Sequence, residues 1–242
     1  MKLIVAGSTG FVATEIIRQS LSNPSITSIV ALGRKPAPTP VASTLLPNAD
    51  LSKLKSVTLD NFDTTDYPDN VKSELANADA CIWTIAITPS QLKSTPWETT
   101  VKVCRDYAVN GIKAISSLTE KKPFRFVYIS GSNAVRDPAK KPLLLGDYCV
   151  LRGEAENQIL EFAKNSGGKV EVAIAKPGII SGPTKETGAL AKVFFGIIGI
   201  GKVRVGQIAG ALVEGVTKGF EKETYENADL VRIGGKVAAA KE

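Results

Sequence analysis

Lys2-Leu3-Ile4-Val5-Ala6-Gly7-Ser8-Thr9-Gly10-Phe11-Val12-Ala13 is the stretch on which the fold turns. The continuous apolar run from Leu3 to Ala6 reads as a strand buried on both faces. From Phe11 to Leu21 the apolar residues Val12, Ile16, Ile17 and Leu21 recur near helical spacing. Small residues between the two let the chain turn tightly. They also let backbone N–H groups approach a pyrophosphate at the helix N-terminus, where the helix dipole favours an anion. A glycine pattern alone is weak evidence, but a strand before it and a helix after it are the required context. Gly7, Ser8, Thr9, Gly10, Phe11 and Val12 are therefore candidate ligands of a dinucleotide.

Outward from this turn, apolar β-branched runs alternate with amphipathic stretches. Strands are expected at Ile26–Leu32, Ser56–Leu59, Ala80–Ile87, Phe126–Ile129 and Val170–Ala175. Helices are expected at Trp97–Leu118, Asp147–Asn165 and Gly206–Phe220, and the short run Leu230–Ile233 follows before a polar tail. Such alternation implies a parallel sheet covered on both faces. The expectation is an α/β, doubly wound, mainly parallel Rossmann sheet of about seven strands. No repeat or linker divides residues 1–242, so one domain is expected, with a short substrate-binding elaboration at about 181–235. The segment Ser181 to Gly201 is read either as a substrate lid or as a helix completing the core. Trp83, Trp97 and Tyr107 read as core.

Composition excludes several chemistries. The chain has 242 residues and no histidine, which removes His-based triads, His metal sites and an imidazole general base. Its three cysteines, Cys81, Cys104 and Cys149, lack the spacing of a metal site or a disulfide framework, so no metal is expected. No apolar run approaches the ~20 residues of a membrane span. The net charge of +6 is spread over pairs such as Arg34-Lys35, Lys121-Lys122 and Lys140-Lys141. That reads as solubility charge rather than a nucleic-acid face. The first strand begins almost at residue 1, so no transit peptide and a cytoplasmic location are expected.

Arg34 and Lys35 close the second strand, where NAD-preferring folds place an acid on the adenosine ribose. No Asp or Glu occurs between Glu15 and Asp50. An arginine there pairs instead with a 2′-phosphate, so the expected cofactor is NADP(H). Asp60, past the third strand, is a candidate acceptor for the adenine amino group. Ile85 and Ala86, at the end of the fourth strand, are expected to face the same cofactor.

The G-x-x-G-x-x-A turn, Arg34, the run Tyr148-Cys149-Val150-Leu151-Arg152 and Lys176-Pro177-Gly178 together resemble the atypical short-chain dehydrogenase/reductases. Tyr148 to Glu156 is similar to the TIP30-like group of that superfamily and to its fungal mitochondrial-proteome relatives, which implies an association with mitochondria. The resemblance implies that Tyr148 is the catalytic acid or base and that Ser132, or Ser130, polarises a substrate carbonyl. It also implies that Pro177, Gly178 and Ile179 meet the nicotinamide end. The superfamily's lysine position, four residues past the tyrosine, holds Arg152, which is larger, planar and never deprotonated. Arg152 is expected to bind the nicotinamide ribose and to depress the Tyr148 pKa. The implied function is NADP(H)-dependent oxidation or reduction of a small, largely apolar substrate. A non-redox isomerase or cyclase, and an NADP(H)-binding redox-sensing regulator, remain the alternatives. A homodimer through the helix that carries Tyr148 stays open.

Overall fold

Successive residues of the first strand point to opposite faces of the sheet, and this sets the layers. The computed structural model describes residues 1–120, 123–182 and 201–239. In β1 (Lys2–Ala6), Ile4 and Ala6 join one core and Leu3 and Val5 the other, and all four are fully buried. Burial on both faces is what an interior parallel strand requires.

The remaining strands are β2 (Ser28–Gly33), β3 (Leu54–Thr58), β4 (Ala80–Trp83), β5 (Phe124–Ile129), β6 (Val170–Lys176), β7 (Ile179–Ser181), β8 (Lys202–Arg204) and β9 (Thr224–Glu226). Seven of them form one parallel sheet in the order β3-β2-β1-β4-β5-β6-β9, while β7 and β8 pair separately. Strand order reverses between β1 and β4, which opens a crevice at the carboxyl edge.

Helices α1 (Phe11–Leu21), α6 (Val205–Lys218) and α7 (Asn227–Ala239) cover one face, where Ile16, Ile208, Leu212 and Ile233 pack over Leu3 and Val5. Helices α2 (Asp69–Leu75), α4 (Tyr107–Ser116) and α5 (Gly146–Lys164) cover the other, with Val71, Ile112 and Ile159 over Trp83 and Phe126. Gly111 of α4 lies directly on Trp83; a Cβ there would fall 2.2 Å from the indole ring. The close approach explains a glycine inside a helix, where it otherwise costs about 1 kcal/mol relative to alanine.

Several expectations change. The fourth strand ends at Trp83 rather than Ile87, where its partner β1 ends at Ala6, whose carbonyl accepts from both the N–H and the Oγ1 of Thr84. The helix expected at Trp97–Leu118 runs unbroken from Trp97 to Ser116, as α3 (Trp97–Val101), a π-helical segment (Lys102–Asp106) and α4. Trp97 is 48% exposed, not core. Leu230–Ile233 lies within α7, its buried Leu230 and Ile233 sharing one helical face, and the seventh strand of the sheet is Thr224–Glu226. Most of the lid segment, 183–200, lies outside the described residues. Among the described residues no helix is long and apolar enough to cross a membrane.

Candidate functional site

The glycine turn is built by close backbone approach. Gly7 has φ +87°, a left-handed conformation that L side chains rarely adopt, and a Cβ there would meet Thr84 Oγ1 at 2.5 Å. Its N–H and that of Ser8 donate to the Leu32 carbonyl at 2.8 and 3.2 Å, tying the turn to the end of β2. The Gly10 N–H donates to the Gly7 carbonyl at 2.9 Å. No side chain caps α1 at Gly10, so the helix dipole opens into the crevice unopposed. The Ser8 hydroxyl is buried with no partner, and Gly33 leaves room for it, since a Cβ at Gly33 would fall 2.9 Å from Ser8 Oγ. An uncapped helix start beside an orphaned hydroxyl fits a pyrophosphate. Thr9 and Gly10 are exposed, and Phe11 and Val12 are half-buried. Arg34 and Lys35 stand exposed immediately past β2, Asp60 stands exposed past β3, and Ile85 and Ala86 are half-buried past β4.

Tyr148 and Arg152 lie one turn apart on α5. Tyr148 is half-buried and its hydroxyl donates to the Ile87 carbonyl at 2.8 Å. Burial pushes its pKa up, and the Arg152 charge partly offsets the rise. Arg152 itself is turned inward and is 3% exposed. Its guanidinium sits 4.9 Å from the Tyr128 ring centroid, Nη2 donates to the Ile129 carbonyl, and Nη1 is buried without a partner.

The structure separates the two candidate serines. Ser130 Oγ donates to Glu156, a fully buried carboxylate that also takes Arg136 Nε at 2.8 Å and faces Lys176 Nζ at 3.6 Å. Ser132 is half-exposed, and its N–H donates to the Pro177 carbonyl at 2.9 Å. Past Pro177 the expected backbone contacts to a carboxamide are engaged elsewhere. The Gly178 N–H donates to Asn227 Oδ1 at 2.9 Å and the Ile179 N–H to the Gly201 carbonyl at 2.9 Å. A Cβ at Gly178 would meet the Gly201 carbonyl oxygen at 1.9 Å, so this turn is packed against the chain entering β8.

Sequence reasoning missed Thr84, Cys104, Tyr128, Glu156 and Asn227. Each acts on residues 17 or more positions away, as Cys104 does on Ile87 or Asn227 on Gly178. Only Glu156 carried a signal, being an acid four residues past Arg152 on the inward face of a helix.

The fold and the turn together define a Rossmann-like α/β protein. Vestitone reductase from alfalfa superposes on it with a TM-score of 0.64 and 22% identity, over 93% of this chain and 76% of that one. A dTDP-glucose 4,6-dehydratase from Streptomyces venezuelae, solved with NAD bound, does so with a TM-score of 0.68 and 14% identity, over 99% of this chain and 81% of that one. No family model matches the sequence. The chain is similar to the protein FMP52, mitochondrial, of Coccidioides immitis, at 26% identity over 95% of this chain and 80% of that one. It is also similar to the protein of the same name in Candida albicans, at 27% identity over 82% of this chain and 76% of that one. Both relatives are mitochondrial by name, which overturns the cytoplasmic location expected from the sequence.

Proposed function

We propose that the protein is an NADP(H)-dependent oxidoreductase that interconverts a carbonyl and an alcohol on a small, largely apolar substrate. The reading rests on Tyr148 and Arg152 standing together on the same sheet edge as the uncapped, glycine-built start of α1. The resemblance to the atypical short-chain dehydrogenase/reductases supports it, and the fungal relatives support an association with mitochondria.

NADPH, when bound, would supply hydride to the carbonyl carbon. Tyr148 would release its phenolic proton to the oxygen as negative charge develops there, and would take it back in the oxidative direction. Ser132 would donate a hydrogen bond to the same oxygen, since the Ser130 hydroxyl is engaged by Glu156. Arg152 would favour the phenolate through its charge and offer Nη1 to the ribose. Gly7 to Val12 would hold the pyrophosphate, Arg34 and Lys35 the 2′-phosphate, and Asp60 the adenine. Ile85 and Ala86 would wall the nicotinamide, and so would the turn of Pro177, Gly178 and Ile179 through the Pro177 ring and the Ile179 side chain, since the Gly178 and Ile179 N–H groups are engaged elsewhere.

NADPH absorbance followed against a panel of aldehydes, ketones and quinones tests this reading. Consumption with at least one carbonyl, lost in Tyr148→Phe, is expected. A folded protein that oxidises no NADPH with any of them overturns it.

A further inference from the structure

We propose that Tyr128 is a positioning residue, whose ring and hydroxyl, braced against the π-helical segment at Cys104, hold the Arg152 guanidinium where its charge acts on the Tyr148 phenol. The catalytic meaning of this arrangement rests on the oxidoreductase reading, whereas the arrangement itself belongs to the protein alone.

Tyr128 is fully buried on β5, and a buried phenol needs an acceptor. It finds one 2.8 Å away in the Cys104 carbonyl. Around Cys104 the helix is wound in the π form, the Tyr107 N–H reaching back five residues to the Lys102 carbonyl. π-helical turns of this kind recur at functional sites because they free and redirect main-chain groups. Cys104 also faces the other tyrosine. Its sulfur accepts from the Ile87 N–H at 3.3 Å, while the Ile87 carbonyl accepts from the Tyr148 hydroxyl at 2.8 Å. One residue of the π segment therefore anchors Tyr128 directly and Tyr148 through Ile87.

Arg152 lies over Tyr128 and one helical turn from Tyr148 on α5. Its guanidinium is 4.9 Å from the Tyr128 ring, its Nη2 donates to Ile129, the residue after Tyr128, and Cys104 is a further hydrogen-bonding neighbour. The groups facing Tyr148 are Arg152 from its own helix, Cys149 beside it and Cys104 from the π segment. Those facing Arg152 are Tyr128, Tyr148 and Cys104. Within this set Arg152 carries the one permanent charge. A guanidinium with an unpartnered buried Nη1 has a competing destination in Glu156, four residues along the same helix. The Tyr128 ring, together with the neutralisation of Glu156 by Arg136, keeps Arg152 toward Tyr148.

The test uses the 242-residue chain without cofactor or substrate. Difluorotyrosine is placed at position 148, so that the phenol ionises where the protein is folded, and its titration is followed by ¹⁹F NMR. Tyr128→Leu removes the ring that holds the guanidinium and should raise the midpoint by up to about one unit as the charge moves away from the phenol. Tyr128→Phe keeps the ring and volume but not the anchor, and should raise the midpoint by less. In an Arg152→Met background Tyr128→Phe should move nothing further, since no charge remains to position. An unmoved or lowered midpoint in folded Tyr128→Phe overturns the proposal, and so does a shift that persists without Arg152. The measurement needs no turnover. A shift without any NADPH oxidation refutes the oxidoreductase reading and leaves the Tyr128 role standing; turnover with an unmoved Tyr148 does the reverse.

Discussion

The Tyr148 hydroxyl donates to the Ile87 carbonyl at 2.8 Å, so the phenolic proton rests on main chain just past β4. A substrate oxygen that accepts this proton must displace that carbonyl. Tyr148→Phe should lower kcat by about 10²–10⁴-fold with cofactor affinity little changed, as steady-state kinetics and calorimetry will show. The sign of the pH dependence follows from burial, which raises the phenol above its usual pKa of about 10. The proton-donating form is therefore complete through neutral pH. Carbonyl reduction should stay level between about pH 6 and 9 and decline only in alkali.

Arg34 stands exposed one residue beyond β2, where a 2′-phosphate would arrive. A charge-assisted contact contributes on the order of 1.5–3 kcal/mol, so NADPH should bind roughly tenfold or more tightly than NADH. Arg34→Ala should erase most of that preference. Equal dissociation constants in the unsubstituted protein would remove Arg34 from the site.

Gly7 combines φ +87° with a would-be Cβ 2.5 Å from Thr84 Oγ1. Gly7→Ala therefore strains the backbone and pushes β1 from the start of the β4 loop, at a cost of about 1–3 kcal/mol. Urea unfolding should show that loss, and dinucleotide binding should fall with it. Wild-type stability in this variant would mean the turn relaxes freely.

Glu156 is fully buried and binds Ser130 and Arg136, and Arg136 reaches on to Thr224 Oγ1 at 2.9 Å. The carboxylate thus ties α5 and β5 to the edge strand β9. Glu156→Ala should destabilise by about 2–3 kcal/mol, below the usual figure for a broken buried pair because Arg136 stays partly solvated. Arg232→Ala, which opens the exposed pair with Glu221, should leave the urea midpoint where it is. Similar midpoints for both variants would show that Glu156 is replaceable by water.

What could be read from the sequence was whatever local chemistry determines. The first strand, the glycine turn and α1 from Phe11 to Leu21 follow from apolar periodicity and small residues within a single stretch of chain, and the structure has α1 at those bounds. The doubly wound sheet follows from repetition of that pattern, and the spacing of Tyr148 and Arg152 from one turn of helix. Long-range pairing decided the rest. Leu-Val-Arg-Ile at 230–233 suits a strand or a helix equally, and it is helical here while Thr224–Glu226 occupies the sheet edge beside β6. Arg152 is long enough to extend into solvent or to lie against the sheet edge, and the Tyr128 ring and the Ile129 carbonyl drew it onto the end of β5. The two serines are equivalent in sequence, and a buried carboxylate 26 residues from Ser130 separated them. Side-chain direction depends on partners that only the folded chain brings within a few ångströms, and no local pattern records them.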